Sequence, residues 1–290
     1  MPDTTVNMKR LWILAGLAFV LFLVIYFPVI TELVHDWSTD DNYSHGFLIP
    51  LISAFLIWHR RKKLKEMIIP AGDYSGLPLL LLGMILYILA TAAAEHFTIG
   101  VSLVITLYGM VWMLFGRRLA GALWFELLFL LFMIPLPYVI YNALTFPMQI
   151  LATKITVKLL NLIGMTAVRQ GNIIHLSGYS LEVAEACSGL RSLISLLALG
   201  ALYARYTQPG IGRQIILFLS TIPIAIAANV FRVFATAVGA YTISRKLAED
   251  FLHEFSGMAV FVAAFIMLFI WGAVLKIGLK KKKISANNKD

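Results

Sequence analysis

From Leu11 to Ile30 the chain runs twenty residues without a charge, long enough as a helix to cross the hydrocarbon core of a bilayer. No feature constrains the fold more, because comparable runs recur to the end of the chain. The spans read from them are 11–30, 46–59, 77–94, 98–115, 119–135, 188–205, 213–236 and 255–275, the second being short at its apolar core. The composition agrees, with 60% hydrophobic and 13% charged residues, where a soluble domain carries about 25% charged. The first run is long enough to span and lacks a small-residue cleavage site, so it reads as a retained signal anchor. The expected fold is an all-α polytopic membrane protein in a single integral domain. It has about eight transmembrane helices, one amphipathic interfacial helix and a short outer-face β-hairpin.

The net charge of +9 invites a nucleic-acid reading, which its distribution excludes. The basic residues form short clusters beside the apolar runs: Lys9 and Arg10, Arg60 to Lys65, Arg117 and Arg118, Arg205 and Arg213, and Lys276 to Lys283. With the N-terminus in the cytoplasm, all of these clusters fall on the cytoplasmic side. The N-terminal spans then occupy 11–135 and the basic cytoplasmic tail 276–290.

Residues 136–163 disturb this alternation if they cross. Asn142, Thr145, Gln149, Thr153 and Thr156 recur at helical spacing, a polar stripe with Pro147 as a kink. That pattern predicts an interfacial helix, or one wall of a lateral cleft, with Lys154 and Lys158 reaching toward headgroups. Within the following segment, 168–186, Ser177–Gly178 separates two alternating runs and predicts a hairpin. A two-residue turn sets Leu176 opposite Tyr179, Ile174 opposite Leu181 and Asn172 opposite Val183.

The hairpin leads into EVAEACSGLRSL (Glu182 to Leu193), which holds Cys187, the one cysteine of the chain. A lone cysteine forms no intramolecular disulfide, so it is either a small buried hydrophobe or a reactive thiol. In the predicted topology Cys187 begins one span of the region 188–275, Arg232 lies near the outer end of the next, and His253 begins the third. A thiol, a guanidinium and an imidazole at one membrane level suit acyl transfer through a thioester. A helix N-terminus near cations favours the thiolate, and Arg191 follows one turn later on the same face. Each residue also has an ordinary reading. Arg232 could snorkel, although Asn229 three residues earlier suggests an organised polar site. His253 could be a boundary histidine, and Glu185 could be solvated or orient a base. Glu126, inside a span, needs a partner.

In the loop from His35 to Gly46 two histidines and three aspartates match no defined ligand spacing, and no residue pattern requires a metal or a cofactor. Trp37 and Tyr43 suit an aromatic interface belt.

Taken in order, WSTDDNYSHGFLIPLIS (Trp37 to Ser53), RQGNIIHL (Arg169 to Leu176), the cysteine motif, PIAIAANVFRV (Pro223 to Val233) and HEFSG (His253 to Gly257) resemble the exosortases, a family within the exosortase/archaeosortase superfamily. The similarity runs from about residue 37 to 275, and ACSGLRS is its specific part. It implies a membrane cysteine transpeptidase or protease acting on exported proteins. These carry a C-terminal sorting signal made of a Pro-Glu-Pro-type (PEP-CTERM) motif, a transmembrane helix and a basic tail. Cys187 is then the nucleophile, with Arg232 the essential arginine and His253 the third member. A histidine there, where archaeal relatives have arginine, points to the bacterial branch. Arg191, Asn229, Glu185, Ser188 and His45 are carried as supporting or substrate-binding residues. The implied setting is the bacterial inner membrane, with both termini cytoplasmic and the site on the periplasmic face. Membrane lipid and an amine acceptor are the further partners, and exopolysaccharide production is a frequent association of the family. The competing readings are a non-enzymatic transporter or assembly component for exopolysaccharide or lipid, and a structural membrane partner. The first predicts that Cys187→Ser or Cys187→Ala leaves function intact, and the second that the outer arginine and histidine can be replaced together without harm.

Overall fold

The computed structural model describes residues 8–67, 73–177, 179–183, 190–242 and 251–287; of Met8, Lys9, Tyr179, Leu190, 251–256, Met258 and 277–287 it describes the backbone alone. The chain divides into two compact units, 1–137 and 138–290.

In the first unit, α1 (Met8–Thr39) is followed by a 3-10 helix (Asp41–Phe47), α2 (Leu48–His59) and α3 (Arg61–Lys65). Next come α4 (Leu77–Ala92) and α5 (His96–Phe115). Two short helices, α6 (Arg117–Ala122) and α7 (Trp124–Phe129), and a 3-10 turn (Leu130–Met133) complete it. Glu95 starts α5 by accepting hydrogen bonds from the backbone N–H groups of Phe97 and Thr98, which a helix's first turn leaves without partners. Glycines let α4 and α5 approach backbone to backbone. A Cβ on Gly109 would lie 2.4 Å from the Leu80 nitrogen, and one on Gly83 2.7 Å from the Thr106 nitrogen. Tyr26 of α1 is 1% exposed, and its hydroxyl reaches Thr106 at 2.8 Å and Ser102 at 3.2 Å on α5.

Residues 119–135 form a broken helix rather than the expected single span. The chain turns at Leu123, between α6 and α7, and Arg60 occupies the break. Its Nη1 donates to the Ala122 carbonyl, which the break leaves without a helical partner, and to the Glu126 carboxylate at 2.5 Å. Glu126 is fully buried, and Ser53 of α2 donates to its backbone carbonyl. The intramembrane acid thus has a structural partner from a cluster that the sequence reading took for a topology signal. The aromatic-belt expectation also needs correction. Trp37 and Tyr43 are both buried; Trp37 Nε1 donates to the Met133 carbonyl, and the Tyr43 hydroxyl accepts from the Leu136 N–H.

Among the described residues, the second unit begins with α8 (Tyr138–Leu162), continues through three short antiparallel strands, and ends in three helices. The strands are β1 (Ala167–Gln170), β2 (Ile173–Leu176) and β3 (Tyr179–Glu182). The helices are α9 (Leu190–Thr207), α10 (Ile211–Thr242) and α11 (Phe251–Asn287). The β2–β3 register is the predicted one, with Leu176 opposite Tyr179 and Ile174 opposite Leu181, and Val183 N–H donates to the Asn172 carbonyl. The β1 strand was not foreseen. It pairs with β2 across Gly171–Asn172, with Gly171 at φ +62°, a conformation glycine adopts without strain. Ile174, Leu176 and Val183 turn their apolar face onto Leu160 of α8 and Val230 and Val233 of α10. A second core joins Leu196 of α9, Leu217 and Ala225 of α10, and Ala264 and Leu268 of α11.

Among the described residues, six helices are long and apolar enough to cross a membrane: Arg10–Thr39, Tyr74–Ala92, His96–Phe115, Tyr138–Leu162, Ile211–Thr242 and Ala259–Lys276. The eight-span map therefore differs in detail. The α2 helix has 12 residues, about 18 Å, and is too short to cross by itself. The 119–135 run is broken, and α9, with Arg191, Ser192 and Ser195 in its first two turns, is not among the six. Helix α8 is among them. Its polar positions Thr145, Gln149, Thr153 and Thr156 are buried in the protein, while Val139, Phe146, Leu151 and Leu162 face outward.

Candidate active site

The α9, α10 and α11 helices carry Arg191, Asn229, Arg232 and His253 of the residues that the sequence singled out for chemistry, and they pack around one narrow crevice. Asn229 and Arg232 are three residues apart on α10 and share a face. Asn229 is 4% exposed and Arg232 half-buried. Both line the crevice, together with Ser192 and Leu196 from α9 and Val260 and Phe261 from α11. Its volume of ≈ 10 Å³ is room for about one water.

Gly257 marks where α11 meets Arg232. A Cβ built there would lie 3.5 Å from Nη2 of Arg232 and 3.6 Å from Cζ, so the guanidinium rests against this glycine. His253 stands four residues before Gly257 in α11, one helical turn away on the same face. The backbone thus brings the histidine position to the helix face that receives the arginine. A guanidinium held by packing beside a water-sized space is placed to stabilise negative charge, because its field is weakly screened there.

Of the other sequence-predicted residues, Cys187, Glu185 and Ser188 fall within 184–189, outside the described residues, and so does the side chain of His253. Arg191 is exposed in the first turn of α9. His45 belongs to the first unit, where its Nε2 lies 3.2 Å from the Phe132 carbonyl oxygen. Among the described residues, no group of three or more His, Cys, Asp or Glu could hold a metal ion. Asp40 of the His35–Gly46 loop instead caps the 3-10 helix by accepting from the Asn42 N–H.

Sequence reasoning passed over Ser192, which lines the crevice, and Gly257, which meets the Arg232 guanidinium. Ser192 stands in the quoted cysteine motif and Gly257 closes HEFSG, so the signal was present without an assigned role. The polar stripe of α8 has a place too. Asn142, Thr145 and Gln149 line an open cleft of ≈ 570 Å³, which Asn172 and Glu182 of the small sheet also line. On the sheet, His175 bridges its neighbours, with Nδ1 2.7 Å from Ser180 Oγ and Nε2 3.0 Å from Gln170 Oε1.

The model of one protein family, described as transmembrane exosortase, matches residues 37–270. Comparison with curated proteins and with solved structures found no match.

Proposed function

Since the chain belongs to the transmembrane exosortase family, we propose that it is a membrane cysteine transpeptidase that processes exported proteins bearing a C-terminal sorting signal. Its setting is the bacterial inner membrane, with both termini cytoplasmic and the site on the periplasmic face. The observation that carries this reading is the contact of the Arg232 guanidinium with Gly257, one turn from His253. It draws the arginine and histidine motifs together, although they are distant in sequence, beside the helix that follows Cys187.

In the proposed reaction the Cys187 thiolate attacks the carbonyl carbon of a peptide bond near the Pro-Glu-Pro-type motif. The C–N bond breaks, the leaving amine takes a proton from His253, and the signal's helix and basic tail depart. Arg232 stabilises the tetrahedral oxyanion or a substrate carboxylate. An acceptor then attacks the thioester and gives its proton to His253, and the sulfur leaves as thiolate. With water as acceptor the outcome is proteolysis, and with an amine it is transpeptidation.

The test is co-expression with a tagged protein that ends in a Pro-Glu-Pro motif, a helix and a basic tail, read as a size shift on a gel. Wild type is expected to shorten the substrate. Cys187→Ala, at equal membrane level, is expected to abolish the shift. Full processing by the alanine variant would overturn the mechanism and leave the assembly-component reading.

A further inference from the structure

The α8 cleft is not used by the mechanism above. Its described lining comprises Asn142, Thr145 and Gln149, with Tyr138 and Phe146, from α8, and Asn172 and Glu182 from the sheet. Two observations indicate what it takes. The first is Thr145, which is 2% exposed and whose Oγ1 has no hydrogen-bond partner among the described residues. A buried hydroxyl without a partner is costly, so a native structure that keeps one at the wall of a cleft implies a partner arriving from the cleft.

The second is charge. Glu182 is the charged residue of this lining, and none of the described lining residues is Lys, Arg or His. Glu182 sits exposed at the end of β3, and the Tyr138 and Phe146 rings stand 71% and 60% exposed. A carboxylate with two aromatic rings complements a cation, and the carboxamides and hydroxyl complement polar groups next to it. Glu182 also precedes Cys187 by five residues, so the covalent chain keeps the two within about 18 Å.

We propose that this cleft is the acceptor subsite, and that it holds a primary amine as its ammonium through Glu182, with the Thr145 hydroxyl bonding to the polar part of the same molecule. The inference rests on the transpeptidase reading and names its second substrate. In water an alkyl amine is protonated, so a site that concentrates it must bind a cation. Before attack the ammonium gives up one proton to solvent. The nitrogen lone pair then forms the C–N bond to the thioester carbonyl as the C–S bond breaks, the second proton passes from that nitrogen to His253, and sulfur leaves as thiolate. The ammonium could belong to a soluble molecule or to an aminophospholipid headgroup, and the experiment separates the two.

The full chain is reconstituted in phosphatidylcholine nanodiscs with the tagged signal substrate and monodansylcadaverine as the soluble amine. A second arm replaces the soluble amine with phosphatidylethanolamine in the disc. Mass spectrometry of the new C-terminus gives the ratio of amine-linked to hydrolysed product. In whichever arm the wild type makes linked product, Glu182→Gln is expected to lower that ratio about tenfold or more, the loss typical of a charge-assisted hydrogen bond. It is also expected to raise the amine concentration for half-maximal transfer, while Glu182→Asp restores transfer. Thr145→Val is expected to lower the ratio by a smaller factor. Linked product from Glu182→Gln at the wild-type ratio overturns the inference. Cutting that yields hydrolysed product alone in both arms also overturns it, and leaves a protease. A signal left uncut by wild type removes the functional reading and this inference with it.

Discussion

Arg232 shows what a single residue's environment adds to its identity. In the sequence it is an arginine near a membrane surface; in the structure its guanidinium lies against a glycine of another helix. Because a Cβ at residue 257 would sit 3.5 Å from Nη2, an ordinary contact distance, Gly257→Ala is expected to keep most of the processing activity. Gly257→Leu places a branched side chain where the guanidinium rests, and is expected to slow processing about tenfold or more in the gel assay. This contact was not legible in the sequence, since a helical glycine reads only as a lowered propensity and its neighbour lies 25 positions away. Glu126 was legible by half. An acid within an apolar run announces that it has a partner, but nothing in the run names Arg60. Arg60→Ala would remove the guanidinium from beside a fully buried carboxylate, and should destabilise the first unit by about 3 kcal/mol, read as a lower Tm in detergent.

Between elements, the α4–α5 pair depends on how closely two backbones can come. Gly109→Ala puts a methyl within 2.7 Å of both N and Cα of Leu80, and neither can swing aside. The expected cost is about 1–3 kcal/mol, visible as a lower Tm, with the helices forced apart. The start of α5 carries a pH dependence. Hydrogen bonding from the Thr98 side chain, then from the backbone N–H groups of Thr98 and Phe97, holds the Glu95 carboxyl below its usual 4.5. A group whose folded value is depressed contributes fully above its unfolded value and loses that contribution as pH falls through the folded one. The Tm should therefore fall on acidification below about pH 4.5, and Glu95→Gln should flatten that part of the slope. Asp73, held low by Ser75, adds in the same direction. Helices bounded by polar or glycine residues were read to within a few positions, and so was the hairpin at Ser177–Gly178, because local chemistry decides both. The β1 strand could have been read from Gly171–Asn172, a two-residue turn signal in its own right. The break at Leu123 could not, because the group that occupies it comes from the turn between α2 and α3, some sixty residues earlier.

At the scale of the whole molecule, most of the outward surface of the long helices is apolar, as a lipid solvent requires and as composition already implied. Sidedness is open to a direct check, since Cys187→Ala leaves a chain without cysteine. In that background Lys63→Cys and Lys276→Cys should resist an impermeant maleimide in intact cells. Ser177→Cys should react, and the reverse pattern would invert the proposed topology. The number of crossings was the least legible property. It depends on α8, the least apolar of the six long helices, whose Thr145, Gln149, Thr153 and Thr156 are hidden inside the fold. Such a helix has consequences for biosynthesis. On leaving the ribosome it has no neighbour to cover Thr145, Gln149, Thr153 and Thr156, and lipid alone is a poor host for them. Stable insertion then waits for α10, synthesised some fifty residues later, so the insertion machinery must hold α8 at its lateral gate until that companion arrives.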